Sequence, residues 1–265
     1  MGQARRAVRI PAPGVVEAIP RMTDAKRPKT TVVMPAYNAA RTLRRTLDEL
    51  PEGAADEIIL VDDASTDGTA DLARDLGLTV FEHDRNRGYG GNQKTCYTHA
   101  LARGADIVVM LHPDYQYDAR MVPYLANLIR DDYFDVMLGS RIRTRREALR
   151  GGMPFYKYAA NRALTFLGNV CLGQTLGDFH TGMRAMRRAV LERLPWQGNA
   201  EGFVFDAQFL VQAVAAGFRL AEIPVPVRYG PDASSIDFGG SIRYGIGFAG
   251  AVLSYPIWRR RLCRP

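Results

Sequence analysis

Short apolar runs alternate with amphipathic stretches through the first half of the chain. Apolar runs rich in β-branched residues predict strands at 30–35, 57–62, 78–83, 105–112 and 135–141. The stretches between them carry apolar residues at helical spacing and predict helices at 39–50, 69–77, 119–130 and from the glycine turn at 88–91 to about 103. This alternation indicates an α/β fold, with a mostly parallel sheet covered by helices.

The pattern changes after residue 141. Helices are predicted at 155–172 and 203–216, and RLAEIPVPVRY (219–229) predicts a further strand. Proline cannot donate a hydrogen bond to a sheet ladder, so Pro224 and Pro226 favour an edge position for that strand.

The net charge of +7 is concentrated at the two ends of the chain. Residues 1–29 contribute +5 and residues 241–265 contribute +5, so residues 30–240 carry −3. We therefore predict a flexible basic leader (1–29), one α/β domain (30–240) and a C-terminal amphipathic basic segment (241–265). A nucleic-acid-binding domain carries its positive charge on the folded body, so no nucleic-acid partner is predicted.

One apolar stretch, at 244–258, raises the question of a membrane. It falls short of the roughly 20 residues that span a bilayer, and Pro256 interrupts it. Two interpretations remain open: a helix in the membrane interface with Arg259 to Arg261 on anionic lipid, or a helix packed on the domain. The N-terminus lacks the apolar stretch of a secretory signal and the three cysteines show no metal spacing. We expect a cytoplasmic chain, peripheral at most to the cytoplasmic face of a membrane.

Polar residues follow the predicted strands at the points where they end. In open α/β sheets, ligands bind at the carboxyl ends of the strands. The residues concerned are Tyr37-Asn38, Asp62-Asp63, His112-Asp114 and Ser140-Arg141.

Two of these motifs have a plain structural alternative. In PAYN (35–38), Asn38 is also a helix N-cap candidate. In DDASTDGT (62–69), the adjacent carboxylates repel each other and need a ribose diol, a base N–H or a metal to compensate them. The alternative is that Asp67 caps a helix, and we favour a binding role for Asp63 over Asp62.

The glycine run GYGGNQK (88–94) does not complete a dinucleotide motif, because Gln93 stands where the third glycine is required. Backbone N–H groups around Gly90 at a helix start still form an anion site, and Lys94 adds charge. A plain turn is the alternative.

His112, Asp114 and Gln116 alternate just after a predicted strand and share one side of an extended chain. Imidazole, carboxylate and amide oxygen suit Mn²⁺, and the carboxylate suits Mg²⁺. A turn with a hydrogen-bonded histidine is the alternative. Arg141 and Arg184 suit bidentate phosphate binding, although a single arginine in such a setting is more often a structural ion-pair residue.

Several strings together resemble a known family. TVVMPAYN, EIILVDDASTDGT and VVMLHPDYQYD, in this order and spacing, resemble the family 2 glycosyltransferases with the GT-A fold, over roughly residues 30–235. GSR, HTGMRAM, GFVFDAQFL and AEIPVPVRY resemble the dolichyl- or polyprenyl-phosphate sugar synthase branch.

The resemblance implies roles for particular residues. It assigns nucleotide contacts to the PAYN segment and the aspartate pair, a divalent metal site to the DxD position, and phosphate contacts to two arginines. In this sequence the residues are Pro35, Tyr37, Asn38, Asp62 and Asp63; His112, Asp114 and Gln116; and Arg141 and Arg184. His112 replaces the first DxD aspartate and adds no negative charge, which leaves the choice between Mg²⁺ and Mn²⁺ open.

The implied reaction is transfer of a hexose, with inversion, from a UDP-glucose or GDP-mannose type of donor to a polyprenyl or dolichyl phosphate. A lipid phosphate is already an oxyanion and needs no general base. A hydroxyl acceptor, soluble or lipid, would need a carboxylate such as Asp206. A third interpretation is a non-catalytic sugar-nucleotide-binding protein, because the DxD motif is altered.

Overall fold

The computed structural model describes residues 27–142, 144, 146, 154–228 and 238–262. Strands of the described residues form one seven-stranded sheet, in the order β3-β2-β1-β4-β6-β5-β7. Strand β6 runs antiparallel to both of its neighbours, and all other pairs are parallel. The strands are β1 Thr30–Ala36, β2 Glu57–Asp62, β3 Thr79–Glu82, β4 Ile107–Met110, β5 Val136–Ser140, β6 Arg184–Arg187 and β7 Leu220–Pro224.

Helices cover both faces of the sheet, which confirms the predicted α/β class. They are α1 Ala40–Asp48, α2 Thr69–Asp75, α3 Gly88–Ala102, α4 Val122–Arg130, α5 Phe155–Leu172, α6 Arg188–Arg193, α7 Val204–Ala215, α8 Phe238–Leu253 and α9 Tyr255–Leu262. Short 3-10 turns precede α4 at Ala119–Met121 and α7 at Trp196–Gly198.

Successive strand residues enter two separate cores. Val33 and Ile59 pack under α3 and α7, whereas Val32 and Leu60 pack under α1 and α4. A strand that is buried on both faces is apolar throughout, which explains the continuous apolar runs in the sequence.

Two elements, α3 and β6, differ from the sequence prediction, and a third, β7, agrees with it. Helix α3 begins at Gly88, so the predicted glycine turn is its first turn. Strand β6 was not predicted, because its segment is polar. Strand β7 lies at the sheet edge, as its prolines indicate.

The C-terminal apolar stretch forms α8 and α9, which are separated at Ser254. Phe248, Ala251 and Val252 of α8 are buried in the core with α5 and α7. Across the described part of the chain, no helix is long and apolar enough to cross a membrane. Most of the predicted leader (1–29) lies outside the described residues, as does most of the segment 142–150.

Candidate active site

The loops after β1 and β2 are joined at the carboxyl edge of the sheet. Ala36 pairs with Asp62 in the parallel register, so both strands end at the same level. The N–H of Asn38 donates to Ser65 Oγ (2.8 Å), and its Oδ1 accepts from the N–H of Thr66 (2.9 Å). Asn38 has a left-handed φ of 52°, which asparagine tolerates well. Asn38 therefore links the two loops and does not cap α1.

Tyr37 and Pro35 occupy opposite environments within the PAYN segment. The Tyr37 side chain is 57% exposed at the strand end, where a planar ligand can stack on it. Pro35 is buried inside β1 opposite Val61. Of these two residues, Tyr37 is the one that presents its side chain to solvent.

The adjacent aspartates differ in their partners. Asp63 Oδ1 accepts from the N–H of Arg87 (2.7 Å) and lies 2.7 Å from His83 Nδ1, and its Oδ2 accepts from the N–H of Gly88 (3.0 Å). Asp62 Oδ2 accepts from the N–H of Ser65 (2.8 Å), but its buried Oδ1 has no hydrogen-bond partner. A buried acceptor without a donor is costly, so Asp62 has the stronger requirement for a ligand N–H or O–H. This order is the reverse of the preference drawn from the sequence.

The start of α3 does not offer the anion site that was predicted around Gly90. The N–H of Gly90 donates to the carbonyl of Glu201 (2.6 Å), and that of Gly91 donates to the same oxygen (3.2 Å). A Cβ on Gly90 would lie 2.5 Å from the carbonyl oxygen of Ala200, so glycine serves close packing here. Lys94 likewise donates to the carbonyl of Asn199 (2.5 Å). Both residues join α3 to the loop before α7, which corrects the expectation of an anion site.

A buried polar network lies behind His112. The hydroxyl of Tyr89 donates to Asp206 Oδ2 (2.8 Å), and His112 Nε2 lies 3.2 Å from the same hydroxyl. Asp206 Oδ2 also forms an ion pair with Arg184 Nη2 (2.8 Å), and Asp206 Oδ1 accepts from Gln93 Nε2 (2.9 Å). The rings of Tyr89 and His112 stack with centroids 5.4 Å apart. The network therefore fixes the orientation of the imidazole.

Arg184 and Asp206 differ from their predicted roles. The Arg184 side chain is 0% exposed, and its Nη2 also donates to the carbonyl of Thr181 (2.7 Å). Its guanidinium thus forms a buried ion pair with Asp206 where a phosphate contact was expected. Both oxygens of Asp206 already accept hydrogen bonds, which leaves this carboxylate poorly placed to act as a general base.

The predicted metal ligands follow β4 within a turn, with a left-handed φ of 59° at Tyr115, and not along the extended chain that the sequence predicted. Asp114 Oδ1 accepts from the N–H of Gln116 (3.1 Å), which forms a tight turn after His112 and Pro113. Burial lowers the pKa of His112 against the opposing influence of Asp114 and Asp206, so the imidazole is neutral, as a metal ligand must be. Within 27–142, 154–228 and 238–262, no group of three or more histidine, cysteine, aspartate or glutamate side chains could hold a metal ion.

Arg141 lies at the end of β5 in a bidentate pair with Asp178. Its Nε and Nη2 donate to the two carboxylate oxygens at 2.8 and 3.2 Å. Asp178 is fully buried and also accepts from Asn161 Nδ2 of α5 (2.9 Å). Burial alone would raise the pKa of Asp178, but the Arg141 guanidinium holds that pKa well below its usual range. The Arg141 side chain keeps 15% exposure, so it is the predicted arginine that reaches the surface of the site.

Tyr89, Gln93 and Asp178 were not among the predicted site residues. Tyr89 lies within a glycine run, a pattern that indicates a role for the backbone and not for the aromatic ring. Asp178 stands two residues before HTGMR, and a carboxylate so close to that arginine motif was the available signal.

The family model described as "Glycosyl transferase family 2" matches residues 31–195. The dolichyl-phosphate hexose transferase of Haloferax volcanii is 32% identical over 228 residues, which cover 84% of this chain and 94% of that protein. The undecaprenyl-phosphate mannosyltransferase of Micrococcus luteus is 26% identical, with 74% of this chain and 82% of that protein covered.

Solved structures share the fold. Glucosyl-3-phosphoglycerate synthase from Mycobacterium tuberculosis, in complex with phosphoglyceric acid, superposes with a TM-score of 0.66 at 20% identity. The match covers 86% of this chain and 80% of that one, and the shared architecture is the GT-A fold that the resemblance implied. The family model spans more than half of the sequence, and the 32% identical relative aligns over 84% of this chain and 94% of its own length. The chain therefore belongs to glycosyl transferase family 2.

Proposed function

We propose that the protein transfers a hexose, with inversion, from a nucleoside diphosphate sugar to a polyprenyl or dolichyl phosphate at the cytoplasmic face of a membrane. The donor is of the UDP-glucose or GDP-mannose type. The observation that carries the proposal is the 32% identity to a dolichyl-phosphate hexose transferase across 84% of the chain. The 26% identical undecaprenyl-phosphate mannosyltransferase supports the same class of acceptor.

The exposed Tyr37 and the unpartnered Oδ1 of Asp62 suit the nucleotide. The Tyr37 ring offers a face for the base, and Asp62 Oδ1 accepts an N–H from it or an O–H from the ribose. Uracil and guanine both carry an N–H on the edge that a carboxylate binds, so this site accommodates either base.

The residues at the end of β4 fit a divalent cation that takes most of its ligands from the donor diphosphate. One carboxylate with phosphate and water oxygens is an ordinary environment for Mg²⁺, and an imidazole adds affinity for Mn²⁺. The Tyr89 proton goes to Asp206, so His112 Nε2 carries its own proton and the imidazole lone pair lies on Nδ1. His112, Asp114 and Gln116 would hold the cation, which when bound neutralises charge on the leaving diphosphate.

The chemistry that remains for the protein is positioning and charge stabilisation. The lipid phosphate oxygen attacks the anomeric carbon, the bond to the diphosphate breaks, and the diphosphate leaves with the electron pair. Arg141 lies at the end of β5 with 15% of its side chain exposed, where it stabilises phosphate charge. No general base is required, and both oxygens of Asp206 already accept a hydrogen bond.

A donor screen followed by an acceptor screen tests the proposal. Thermal shifts with UDP- and GDP-sugars, each with Mg²⁺ or Mn²⁺, identify the donor. Transfer is then measured to undecaprenyl phosphate, to dolichyl phosphate and to 3-phosphoglycerate, a small acceptor that carries a hydroxyl. Transfer to a lipid phosphate is expected; transfer only to a hydroxyl, or donor binding without turnover, would replace the proposal with one of the two alternatives.

Asp114 provides the matching variant. We expect Asp114→Ala to abolish metal-dependent turnover of the sugar nucleotide, because the site loses its anionic ligand. Asp71→Ala, which removes an exposed carboxylate from α2, is the control. Unchanged turnover in Asp114→Ala would contradict the metal assignment.

A further inference from the structure

Tyr115 stands in the turn after β4, between the predicted metal ligands Asp114 and Gln116. Its φ of 59° lies in the left-handed region, which an aromatic residue adopts rarely and at a cost in free energy. Asparagine tolerates such a φ far better, as at Asn38. The contacts around Tyr115 must therefore hold it in this conformation.

Two guanidinium groups lie over the Tyr115 ring. The Cζ of Arg45 is 4.2 Å from the ring centroid, and the Cζ of Arg228 is 4.4 Å from it. A guanidinium within about 6 Å of an aromatic centroid is attracted by the negative face of the ring. The half-buried ring is thus held by one cation from α1 and by another from the segment after β7.

Glu49 completes these contacts and balances their charge. The Tyr115 hydroxyl donates to Glu49 Oε1 (2.6 Å). Arg228 donates from Nη1 to Oε2 and from Nη2 to Oε1 of the same carboxylate, both at 3.0 Å. This bidentate pair fixes the plane of the Arg228 guanidinium. Arg45, Glu49, Tyr115 and Arg228 together form a cluster that we call the turn clamp.

The segment after β7 also holds the backbone of the turn. The N–H of Arg228 donates to the carbonyl of Gln116 (2.9 Å), and Tyr117 forms an antiparallel bridge with Val227. The N–H of Gln116 donates to Asp114 Oδ1 (3.1 Å), and this hydrogen bond closes across Tyr115. The relative position of Asp114 and Gln116 therefore depends on the φ of Tyr115.

We propose that the turn clamp fixes the conformation in which Asp114 and Gln116 bind a divalent cation. Tyr115 is a positioning residue, because it acts through the two ligands on either side of it. Without the clamp, the turn would also adopt conformations with a negative φ at Tyr115. The apparent affinity for the cation would then fall in proportion to the fraction of molecules that stay competent. This role rests on the divalent cation of the proposed function.

The clamp should act on the cation and not on the nucleotide. Tyr37 and Asp62, which suit the nucleotide, lie at the ends of β1 and β2, whereas the clamp holds the turn after β4. Loss of the clamp should therefore weaken binding of the cation and leave nucleotide binding without metal unchanged. A general loss of structure would weaken both.

Mn²⁺ binding tests this role with the full chain and no sugar. Electron paramagnetic resonance measures free Mn²⁺, with Mn²⁺ alone and with UDP or GDP present, and calorimetry measures binding of each nucleotide in EDTA. We expect Tyr115→Gly to weaken Mn²⁺ binding in the presence of nucleotide about 10-fold or more, and to keep nucleotide binding in EDTA within about 2-fold of the wild type. Glycine adopts a positive φ readily, so the loss would come from the missing ring and not from new strain.

Two further variants and a control refine the test. Tyr115→Phe keeps the ring but loses the hydrogen bond to Glu49, so Mn²⁺ binding should weaken less, by about 2- to 5-fold. Tyr115→Phe combined with Glu49→Gln should cost less than the two single variants added together, because each removes that same hydrogen bond. Tyr133→Gly is the matched control, since Tyr133 is 51% exposed in the turn before β5, at the opposite edge of the sheet, and its loss should leave Mn²⁺ binding unchanged.

Wild-type Mn²⁺ affinity in Tyr115→Gly, or an equal loss of nucleotide affinity in EDTA, would overturn the role of the clamp and leave the proposed function intact. An equal loss of Mn²⁺ affinity in Tyr133→Gly would overturn it as well. Should Tyr115→Gly fail to fold, Tyr115→Phe decides, and wild-type Mn²⁺ affinity in that variant would overturn the role. A wild type that binds no Mn²⁺ with either nucleotide would refute the clamp and the metal assignment together. A selective loss of Mn²⁺ binding in Tyr115→Gly, with no transfer to a lipid phosphate by the wild type, would support the clamp and refute the proposed acceptor.

Discussion

We predict that the free energy of unfolding depends strongly on the buried ion pair between Arg184 and Asp206. Arg184 has no exposed surface, and its Nε and Nη1 have no hydrogen-bond partner. Asp206 is the carboxylate that balances its charge, at 2.8 Å. Replacement of Asp206 by Asn keeps the shape but leaves a buried guanidinium without a counter-charge.

The cost follows from the burial. Removal of one partner from a buried ion pair costs about 3–5 kcal/mol, because the remaining charge has lost both its water and its partner. A domain of this kind has about 5–15 kcal/mol of total stability, so the loss is a large fraction of it. Replacement of both residues, as Arg184→Met with Asp206→Leu, removes the charge itself and should recover at least about half of the loss.

Urea unfolding monitored by far-UV circular dichroism gives the free energy of unfolding of the wild type, Asp206→Asn, Arg184→Met and the double variant. Asp71→Asn, on the exposed side of α2, is the control and should change stability by less than about 0.5 kcal/mol. If Asp206→Asn costs less than about 1 kcal/mol yet abolishes turnover, the reasoning is refuted, and Asp206 is then better explained as a general base.

Three further predictions follow from single residues. Gly90→Ala should lower the free energy of unfolding by about 1–3 kcal/mol, because the new methyl meets the Ala200 carbonyl at 2.5 Å, whereas Gly202→Ala, with no atom within 4 Å, should not. Burial lowers the pKa of His180 to about 4, below its ordinary 6.5, so the stability it contributes is present above pH 6.5 and is lost as the pH falls toward 4. The free energy of unfolding should therefore fall by up to about 3 kcal/mol across that window, and His180→Asn should flatten the profile in urea titrations at stepped pH. Asp62→Ala should weaken nucleotide binding about 10-fold or more in calorimetry, while the exposed Asp71→Ala retains wild-type affinity.

The strands were predictable because they are buried on both faces. The apolar run at 57–62 became β2 with the same bounds, since each of its faces meets a helix layer. Strand β6 escaped prediction because Arg184 and Arg187 occupy its ends. A strand that contains a buried arginine can be predicted only when the partner of the arginine is known. Here the partner, Asp206, lies 22 residues further along the chain.

The location of the candidate site was also predictable, but the orientation of its side chains was not. Parallel register brings Tyr37, Asp62 and the residues after β4 to one edge, as the strand ends indicated. Which of the two adjacent aspartates keeps an oxygen without a hydrogen-bond partner depends on the loops around them. Asp63 is taken by the backbone at the start of α3, a contact between residues 24 and 25 positions apart that no local pattern reveals.

His112, which stands in place of the first DxD aspartate, fits the space and the polar groups around it. A Cβ on Gly182 would lie 2.8 Å from the Nε2 and Cδ2 atoms of His112, so the imidazole occupies space that only a glycine leaves open. The hydroxyl of Tyr89 then links the ring to Asp206, and Asp206 is balanced by Arg184.

The negative charge that a first DxD aspartate would supply is therefore not replaced by Asp206, whose charge is already paired. Asp114 remains the anionic ligand among the three predicted residues, and a divalent cation bound there depends on the charge of the donor diphosphate. Metal and sugar nucleotide should for this reason bind together more tightly than either binds alone.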